Sequence, residues 1–424
     1  MVKKTKINSR HHEMGANMAE FGGYEMPLWY KTGARDEHIS VLRAAGIFDT
    51  SHMAFVNVLG TNALELLQKT FSKDLNACIG PNKLPIADKR CVYGVFLNET
   101  GHVIDDAIVY KFADNNYAVV VNAGMGREIA AHLEKYKENL DVKIIDYSDN
   151  LGKFDIQGPL SGIIVKSLIN HPKEVFDGFV YFSHKGHFDK SVPTSYEVTL
   201  KGSNIPILLS RTGYSGEFGF EIFVDQKYFL EVWDLFVEEG RIFELTPCGL
   251  AARDSLRAGA GLPLSHKDIG NWPYINHPWE FTLPFTDNKK GFGKEFVGSK
   301  VLLNSDYKYH TYAFVGSDLR KVNPEDAVVV DENNIEIGRI LTCATDLGID
   351  WANGKIFSIT SPLDSGKPPG FSPRGLRCGF VHVDKKLNFG DKVYLKSKKR
   401  KLDAIIVNEI RPHKTARRKI SSMP

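Results

Sequence analysis

A glycine-punctuated stretch most constrains how this chain can fold. It reads RTGYSGEFGFEIFV from Arg211 to Val224, with glycine at positions 213, 216 and 219. Glycine allows a positive φ and lets a ligand approach the backbone closely. The alternation of apolar residues after the last glycine predicts a strand. The stretch is therefore expected to be a turn that enters a strand.

Two interpretations of this turn remain open. It carries Tyr214, Glu217 and Glu221, and an aromatic ring with two carboxylates can hold a flat polar ring. The alternative is a hairpin turn whose acids are solvated, since glycine-rich turns are common.

The composition limits the classes of protein to consider. The chain has 424 residues, 42% hydrophobic and 25% charged, which predicts a soluble globular protein of two or three domains. The net charge of +3 does not by itself imply a polyanionic partner, although basic residues concentrate in 396–401 and 414–419. Such runs are usually solvated, but they can also attract an anionic ligand or nucleic acid.

The cysteines and the apolar runs indicate which cellular compartment and which kinds of metal site to expect. The five cysteines are scattered without a CxxC pair, which argues against zinc and iron–sulfur sites and fits a reducing compartment. The basic N-terminus lacks the apolar core of a secretory signal, and no apolar run is long enough to span a membrane. We expect a cytoplasmic protein, or one of the mitochondrial matrix if the source is eukaryotic, with no metal and no membrane partner.

Periodicity predicts an alternation of helices and short strands. Helices are expected over 34–45, where Gly46 ends the first, and over 61–71, 124–136, 228–239 and 246–264. Strands are expected over 47–58 with His52 inside, and over 91–98, 103–112 and 117–122. A strand, a Gly-Pro turn and a helix are expected over 151–167, and β-structure over 178–210 around 181–183 and 196–200.

The last third of the chain has a different pattern. Residues 265–296 are loop-like and aromatic-rich, whereas short strands separated by turns follow residue 300 and predict a small β-barrel or sandwich. The Pro- and Gly-rich segment 361–372 predicts a loop. In the helix before this region, Arg253 and Arg257 are four residues apart and share one face, which favours a clamp for a carboxylate or phosphate.

Two adjacent carboxylates interrupt an apolar strand, VI-DD-AIVY, at Asp105 and Asp106. Neighbouring residues of a strand point to opposite faces, so one of the two must face the interior. A buried carboxylate without a partner is costly, so that one needs a donor or a ligand. The alternative is a sheet edge with both acids in water, which the flanking apolar residues disfavour.

Seven segments fall in one order along the chain: FGGYEMPLWY, IFDTSHMAFV, FLNETGHVIDDAIVYK, VVVNA, DIQGPLS, RTGYSGEFGFEI and CGLAARDSLRAGAGLPL. Together they resemble the glycine cleavage system T-protein family, the tetrahydrofolate-dependent aminomethyltransferases. The resemblance covers most of residues 12–270 and, more loosely, the rest of the chain.

The resemblance implies an α+β fold of the T-protein type, with three domains arranged like a cloverleaf, a folate cavity at the centre and a C-terminal β-barrel. We expect residues 1–300 to form a folate-binding catalytic module of two interleaved α+β domains, and residues 301–424 to form the barrel domain.

The resemblance also implies site residues. Asp106 would be the catalytic carboxylate, placed near the pterin, and Arg418 is loosely similar to a terminal arginine of the family that reaches toward folate. The remaining folate-binding residues would be Met53, Tyr93, Tyr110, Asn122, Tyr181, Tyr214, Glu221 and Arg253. A carboxylate such as Glu221 can accept two hydrogen bonds from an amino-pyrimidine edge.

Several departures from the family keep more than one function open. Gly259 stands where the family has an acid, Phe218 where it has an aspartate, and His102 where it has a second glycine. Segment 278–284 differs from the corresponding segment of the family. An extra loop near 350–370 is expected to enlarge the last domain.

The first hypothesis is therefore an aminomethyltransferase that moves its one-carbon unit from a lipoyl carrier protein to tetrahydrofolate and releases ammonia. The second is a tetrahydrofolate-dependent demethylase or methyltransferase for a small methylated amine, sulfonium or ether. The third is a non-catalytic folate-binding or RNA-associated protein. The presence of Asp106 argues against the third hypothesis, and a nucleic-acid partner is not expected.

Overall fold

The computed structural model describes residues 2–192 and 196–424. The α-helices in this part of the chain are α1 (Asn8–Glu13), α2 (Ala34–Arg43), α3 (Ala63–Thr70), α4 (Gly126–Lys137), α5 (Ser161–Leu168), α6 (Pro172–Phe176), α7 (Phe229–Gly240), α8 (Leu250–Ala260) and α9 (Ser299–Leu303). A π-helical turn over Ser265–Ile269, called the π turn below, follows α8.

The strands before residue 300 are β1 (Lys3–Lys4), β2 (Asn17–Phe21), β3 (Tyr24–Trp29), β4 (Ala45–Asp49), β5 (Ala54–Leu59), β6 (Arg90–Leu97), β7 (Val103–Ala113), β8 (Asn116–Val121), β9 (Lys143–Asp146), β10 (Leu151–Gln157), β11 (His184–Lys185), β12 (Leu208–Ser210), β13 (Gly219–Asp225) and β14 (Leu245–Pro247). Those after it are β15 (His310–Val315), β16 (Ala327–Val330), β17 (Glu336–Asp346), β18 (Ile349–Ala352), β19 (Lys355–Ser358), β20 (Leu376–Val383), β21 (Lys392–Ser397) and β22 (Lys401–Val407).

One mixed sheet, one antiparallel sheet and a barrel organise most of these strands. One sheet has the order β11-β12-β13-β10-β4-β14, and the other has the order β6-β7-β8-β5-β9. The strands β15-β20-β17-β16-β21-β22 close a barrel. The predicted α+β class with a C-terminal barrel is therefore confirmed, whereas the domain division at residue 300 stays a prediction.

Apolar side chains on one face of each sheet explain where the helices pack. In the six-stranded sheet, Phe154, Ile222 and Val224 share a buried cluster with Trp233 and Phe236 of α7. In the five-stranded sheet, the inward residues of β5, β7 and β8 share a second cluster with α3 and α4. Each cluster fills the space under its own sheet. The opposite faces pack partly against each other and partly line a cavity.

Helix α8 runs between the sheets and the barrel because its residues are small. It packs against α2, β3 and β17. At Gly259 a Cβ atom would lie only 1.8 Å from Oδ2 of Asp346 on β17, so only glycine fits there. The acid that the family has at this position is therefore sterically excluded, and a barrel carboxylate occupies the space instead. Gly261 ends the helix with a φ of +78°.

Most predicted elements are present, with three corrections. The predicted strand 47–58 is two strands, β4 and β5, in different sheets, and His52 lies in the turn between them. That turn forms because Met53 N donates to the Thr50 carbonyl and Ser51 N donates to the Asp49 carboxylate. The predicted strand 196–200 is reduced to isolated bridges at Thr199 and Leu200, and residues 193–195 of this β-region lie outside the described residues.

The third correction concerns the predicted extra loop near 350–370, which instead begins with the β18–β19 hairpin. The hairpin is ordered by the barrel, because Trp351 donates its indole N–H to the Gly316 carbonyl at 2.9 Å.

Candidate functional site

A cavity of about 2580 Å³ lies where the two sheets, α8 and the C-terminal segment meet. Nine of the ten residues predicted for the site line it: Met53, Tyr93, Asp106, Asn122, Tyr181, Tyr214, Glu221, Arg253 and Arg418. The fold therefore brings together side chains spread over most of the chain. Their roles toward folate stay predictions.

Asp106 points into the cavity because β7 alternates its faces. Ala107 and Val109 face the buried cluster with α3 and α4, so Asp106 and Ile108 face the other side. The carboxylate accepts a hydrogen bond from the Tyr93 hydroxyl at 2.7 Å and one from Nδ2 of Asn122 at 2.5 Å. Burial raises the pKa of Asp106, and these two bonds oppose the rise. The result is an oriented, partly buried carboxylate.

Asp105 lies on the opposite face of β7 and is fully buried. It accepts hydrogen bonds from the backbone N of Asn122 at 2.8 Å and from Nδ2 of Asn122 at 2.7 Å. The sequence required a donor for the buried acid of the pair, and Asn122 is that donor. A sheet edge with both acids in water is excluded.

Glu221 belongs to a second charged cluster at the other end of the cavity. Its Oε1 accepts from Lys153 at 3.0 Å, and its Oε2 accepts from Thr212 at 2.6 Å and from Tyr110 at 3.3 Å. Both oxygens thus already have protein donors. A carboxylate has about four acceptor positions, so one further bond to a ligand remains possible.

Asp155, beside Glu221 across the β10–β13 pairing, completes this cluster. It accepts from Lys153 at 2.7 Å and from Arg253 at 2.6 Å. Burial alone would raise the pKa of Asp155, but the two cations lower it to about 2. Arg253 is therefore held in place by a carboxylate that stays ionised.

Tyr110, which the resemblance placed among the folate-binding residues, does not line the cavity. Its ring is fully buried and packs on His184 and Phe223, with its hydroxyl behind Glu221. Tyr110 follows Asp106 by four residues on β7 and shares its face, but β11 and β13 cover that end of the strand. It supports Glu221 and does not face the cavity.

The predicted two-arginine clamp on α8 is wrong. Arg257 is 1% exposed and already binds carboxylates of the chain, with Nη1 on Asp268 and Nη2 on Asp254. Arg253 binds Asp155. The shared helix face was correct, but both guanidinium groups have protein partners.

The glycine-punctuated turn is a buried structure, so the interpretation with solvated acids is wrong. Glu217 and Glu221 are 3% and 4% exposed. Gly216 adopts a φ of +76°, as a tight turn requires. Phe218 replaces the aspartate of the family because the position is in the core, where the ring lies 4.0 Å from the Arg211 guanidinium.

Tyr214 and Tyr181 supply aromatic surface to the cavity. The Tyr214 hydroxyl donates to the Pro263 carbonyl, and the Arg253 guanidinium lies 5.0 Å from the centre of its ring. Burial raises the pKa of both tyrosines, so their rings are neutral surfaces with a polar tip.

The C-terminal segment forms one mouth of the cavity. The tail cations, which we define as Arg417, Arg418 and Lys419, line it together with Lys166 and Lys173. All five are exposed, and none forms an ion pair with a carboxylate within the described residues. This mouth is therefore positively charged and open to an anionic ligand.

Several site residues were missed by the sequence analysis. Lys153 and Asp155 occupy alternate positions of the apolar strand LGKFDIQ, the same signal that identified Asp105 and Asp106. His52, which the sequence analysis only placed inside a predicted strand, lines the cavity beside Met53.

In the part of the chain that the structure describes, no group of three or more His, Cys, Asp or Glu side chains is arranged to hold a metal ion. Among the same residues, no helix has both the length and the apolar character needed to cross a membrane.

Comparisons with known proteins agree with this geometry. A family model described as the GCVT N-terminal domain matches residues 7–286. The aminomethyltransferase of Staphylococcus haemolyticus is 31% identical over 341 residues, which cover 80% of this chain and 85% of that protein. The aminomethyltransferase of Staphylococcus epidermidis is 31% identical over 339 residues, with the same coverage.

A solved structure supports the fold. The crystal structure of the glycine cleavage system aminomethyltransferase T from Bartonella henselae has a TM-score of 0.73 and 22% sequence identity, covering 96% of this chain and 97% of that one. From the family model and the sequence relatives, the chain belongs to the GCVT family of aminomethyltransferases.

Proposed function

We propose that this protein is an aminomethyltransferase of the glycine cleavage type, which transfers a one-carbon unit from an aminomethyl-lipoyl carrier protein to tetrahydrofolate. The observation that carries the proposal is the carboxylate of Asp106, oriented by Tyr93 and Asn122 on the wall of a large cavity. Membership of a transferase family argues against the non-catalytic hypothesis. The cytoplasmic or mitochondrial-matrix location stays a prediction.

The residues of the cavity suit tetrahydrofolate. Glu221 has an acceptor position left for an amino-pyrimidine edge, and Met53, Tyr181 and Tyr214 offer apolar and aromatic surface. Both hydrogens of the Asn122 amide nitrogen are engaged by the two aspartates, so its carbonyl oxygen is the atom left to accept a bond from a ligand N–H.

In this proposal tetrahydrofolate supplies the nitrogen atoms that accept the one-carbon unit. The chain supplies charge and orientation. Asp106 stabilises the positive charge that develops on the transferred carbon, because a fixed and partly buried carboxylate acts more strongly than one in water. Tyr93 and Asn122 hold that carboxylate, and no covalent protein nucleophile is needed.

The direct test is an assay of the purified protein with tetrahydrofolate and a panel of one-carbon donors. We expect methylene-tetrahydrofolate and ammonia in equal amounts when the donor is an aminomethylated lipoyl carrier. Turnover only with a small methylated amine, sulfonium or ether would instead identify a demethylase. Phe281 is the feature that keeps this second function open, since its side chain is exposed at the cavity 6.2 Å from the Tyr93 ring and offers an apolar surface.

Glu221→Gln is expected to weaken binding of tetrahydrofolate while the fold is kept. Loss of a charged acceptor should cost about 1.5–3 kcal/mol. Lys153 retains Asp155 and Thr50 as partners, which limits the damage to the core. Titration calorimetry measures the affinity, and thermal unfolding checks the fold. Glu239→Gln, which changes an exposed acid on α7, is the control, and equal affinities for the two variants would contradict the prediction.

The tail cations are expected to bind the additional carboxylates of a polyglutamylated folate. Replacing Arg417, Arg418 and Lys419 by glutamine should weaken the polyglutamyl form more than the monoglutamyl form, and added salt should reduce the difference. Substitution is preferable to deletion of 414–424, because Thr415 and the carbonyls of Ala416 and Arg418 hold the glycine-punctuated turn.

The control removes three charges from the exposed turn at Lys398, Lys399 and Arg400. Equal losses for the two forms of folate would contradict the tail prediction. RNA binding that depends on the tail cations would favour the RNA-associated hypothesis.

A further inference from the structure

Two carboxylates share one amide nitrogen at the edge of the cavity. Nδ2 of Asn122 lies 2.7 Å from Oδ1 of Asp105 and 2.5 Å from Oδ1 of Asp106. An amide nitrogen has two hydrogens, so both are used. A flip of the amide would place its carbonyl oxygen against two carboxylates. The orientation of Asn122 is therefore fixed by the pair.

No lysine or arginine compensates the charge of this pair within the described residues. Within the described residues, neither aspartate forms an ion pair with a lysine or arginine. The titratable groups that face the pair are Tyr93 from β6, His266 from the π turn and, further away, Tyr214 and Tyr274. The Ser265 hydroxyl of the π turn accepts a bond from the Asp106 backbone N at 3.3 Å. Two anions in such surroundings would repel each other strongly.

The two members of the pair differ in their surroundings. Each aspartate has one donor besides Nδ2 of Asn122, namely the Tyr93 hydroxyl for Asp106 and the Asn122 backbone N for Asp105. Asp106 lines the cavity, which favours its charged form. Asp105 is fully buried on the other face. Burial and the neighbouring charge of Asp106 raise the pKa of Asp105 to about 8. Asp105 is therefore the member that keeps a proton.

We propose that Asp105 and Asp106 hold one proton between them at neutral pH, with Asp105 as the neutral partner that positions Asn122 and leaves Asp106 as the single anion of the cavity wall. The catalytic meaning of this arrangement rests on the proposed function, but the shared proton does not. His266 Nε2 lies 3.7 Å from Oδ1 of Asp105, and its side chain is 61% exposed.

Infrared spectroscopy of the ligand-free protein tests the proton directly. We expect a carboxylic-acid C=O band in the wild type at pH 6 that disappears as the pH rises through about 8. Asp105→Asn should lack this band, since asparagine has the shape of a neutral aspartic acid but cannot titrate. Absence of the band in the wild type, or its survival in Asp105→Asn, would overturn the proposal. Neither measurement requires folate or a donor, so their failure is separate from failure of the proposed function.

The stability of the same variant gives a second readout. The folded state binds a proton that the unfolded state releases above its ordinary pKa of 3.8, so the wild type loses stability as the pH rises from about 4 to about 8. Asp105→Asn lacks this loss, and its unfolding midpoint relative to the wild type should rise steadily between pH 5 and pH 8.

Asp155→Asn is the matched control for stability. The pKa of Asp155 is lowered to about 2. The difference in unfolding midpoint between Asp155→Asn and the wild type should therefore stay constant over the same pH range. A constant difference for Asp105→Asn as well would contradict a neutral Asp105.

The pH profile of turnover distinguishes a positioning role of Asp105 from a role in packing alone. We expect kcat of the wild type to decline above pH 8 as the shared proton is lost, and Asp105→Asn should lack this decline. Asp105→Ala, which cannot bind Asn122, should lower kcat at every pH. A profile of Asp105→Asn that still declines with the wild-type midpoint would assign the decline to another group and contradict this role.

Discussion

Asp106→Asn is expected to lower kcat about a hundredfold while tetrahydrofolate still binds. The substitution keeps the shape of the side chain and removes the charge that we propose stabilises the transferring carbon. An electrostatic contribution of about 3 kcal/mol corresponds to a rate factor of this size. Single-turnover measurements with saturating tetrahydrofolate give kcat, and titration calorimetry gives the affinity.

The neighbouring aspartate provides the control for this prediction. Asp105→Asn changes the same functional group one residue away, on the other face of β7, and should affect the rate at pH 7 far less. If Asp105→Asn abolished turnover and Asp106→Asn did not, the assignment of the catalytic carboxylate would be wrong. If neither variant affected transfer from any donor, catalysis in this cavity would have to be abandoned.

Arg411→Met is expected to lower the free energy of unfolding by about 3–5 kcal/mol, because it removes the guanidinium that lies between two buried carboxylates. Arg411 is 1% exposed and lies 3.3 Å from Oε1 of Glu217 and 3.2 Å from Oδ2 of Asp346. These two contacts lack hydrogen-bond geometry, so the attraction is coulombic. The Arg411 guanidinium also donates to the carbonyls of Ser215 and Leu256.

Denaturant unfolding measures this loss. Adding Asp346→Asn to Arg411→Met should recover part of it, because one of the two buried charges is then removed. Lys399→Met, at an exposed position, should change the free energy of unfolding by less than about 0.5 kcal/mol. A loss below about 1 kcal/mol for Arg411→Met would show that the buried charges need no cation.

The sequence pattern within single strands and helices predicted those features of the fold that are determined by interactions within one strand or one helix. The alternation in β7 was enough to place Asp105 and Asp106 on opposite faces and to require a donor for the buried one. The period of apolar residues located α3, α4 and α7 to within a few residues. In both cases the deciding interactions are made within one sheet or one helix, so the sequence contains them directly.

The differences between prediction and structure share a different cause. Tyr110 lies on the same face of β7 as Asp106, but another sheet covers it. Arg257 and Glu217 look available in the sequence, and each is paired with a residue brought near by the tertiary fold. The hydrogen bond between Thr415 and Glu217 spans 198 residues, and no periodicity reports a contact of that kind. The partner of a buried charge therefore had to come from the structure.

The connection between the glycine-punctuated turn and the end of the chain has a consequence for biosynthesis. Arg211 donates to the carbonyls of Ala416 and Arg418 across 205 and 207 residues, and Phe218 N donates to Thr415 across 197 residues. The chain is synthesised from its N-terminus, so the turn emerges from the ribosome before these partners, which lie 197 to 207 residues later. Contacts this distant in sequence also form slowly, since they require closure of a long loop. The cavity is thus completed only after residues 415–418 have emerged, and until then Arg211 and Glu217 rely on water or chaperones for their missing partners.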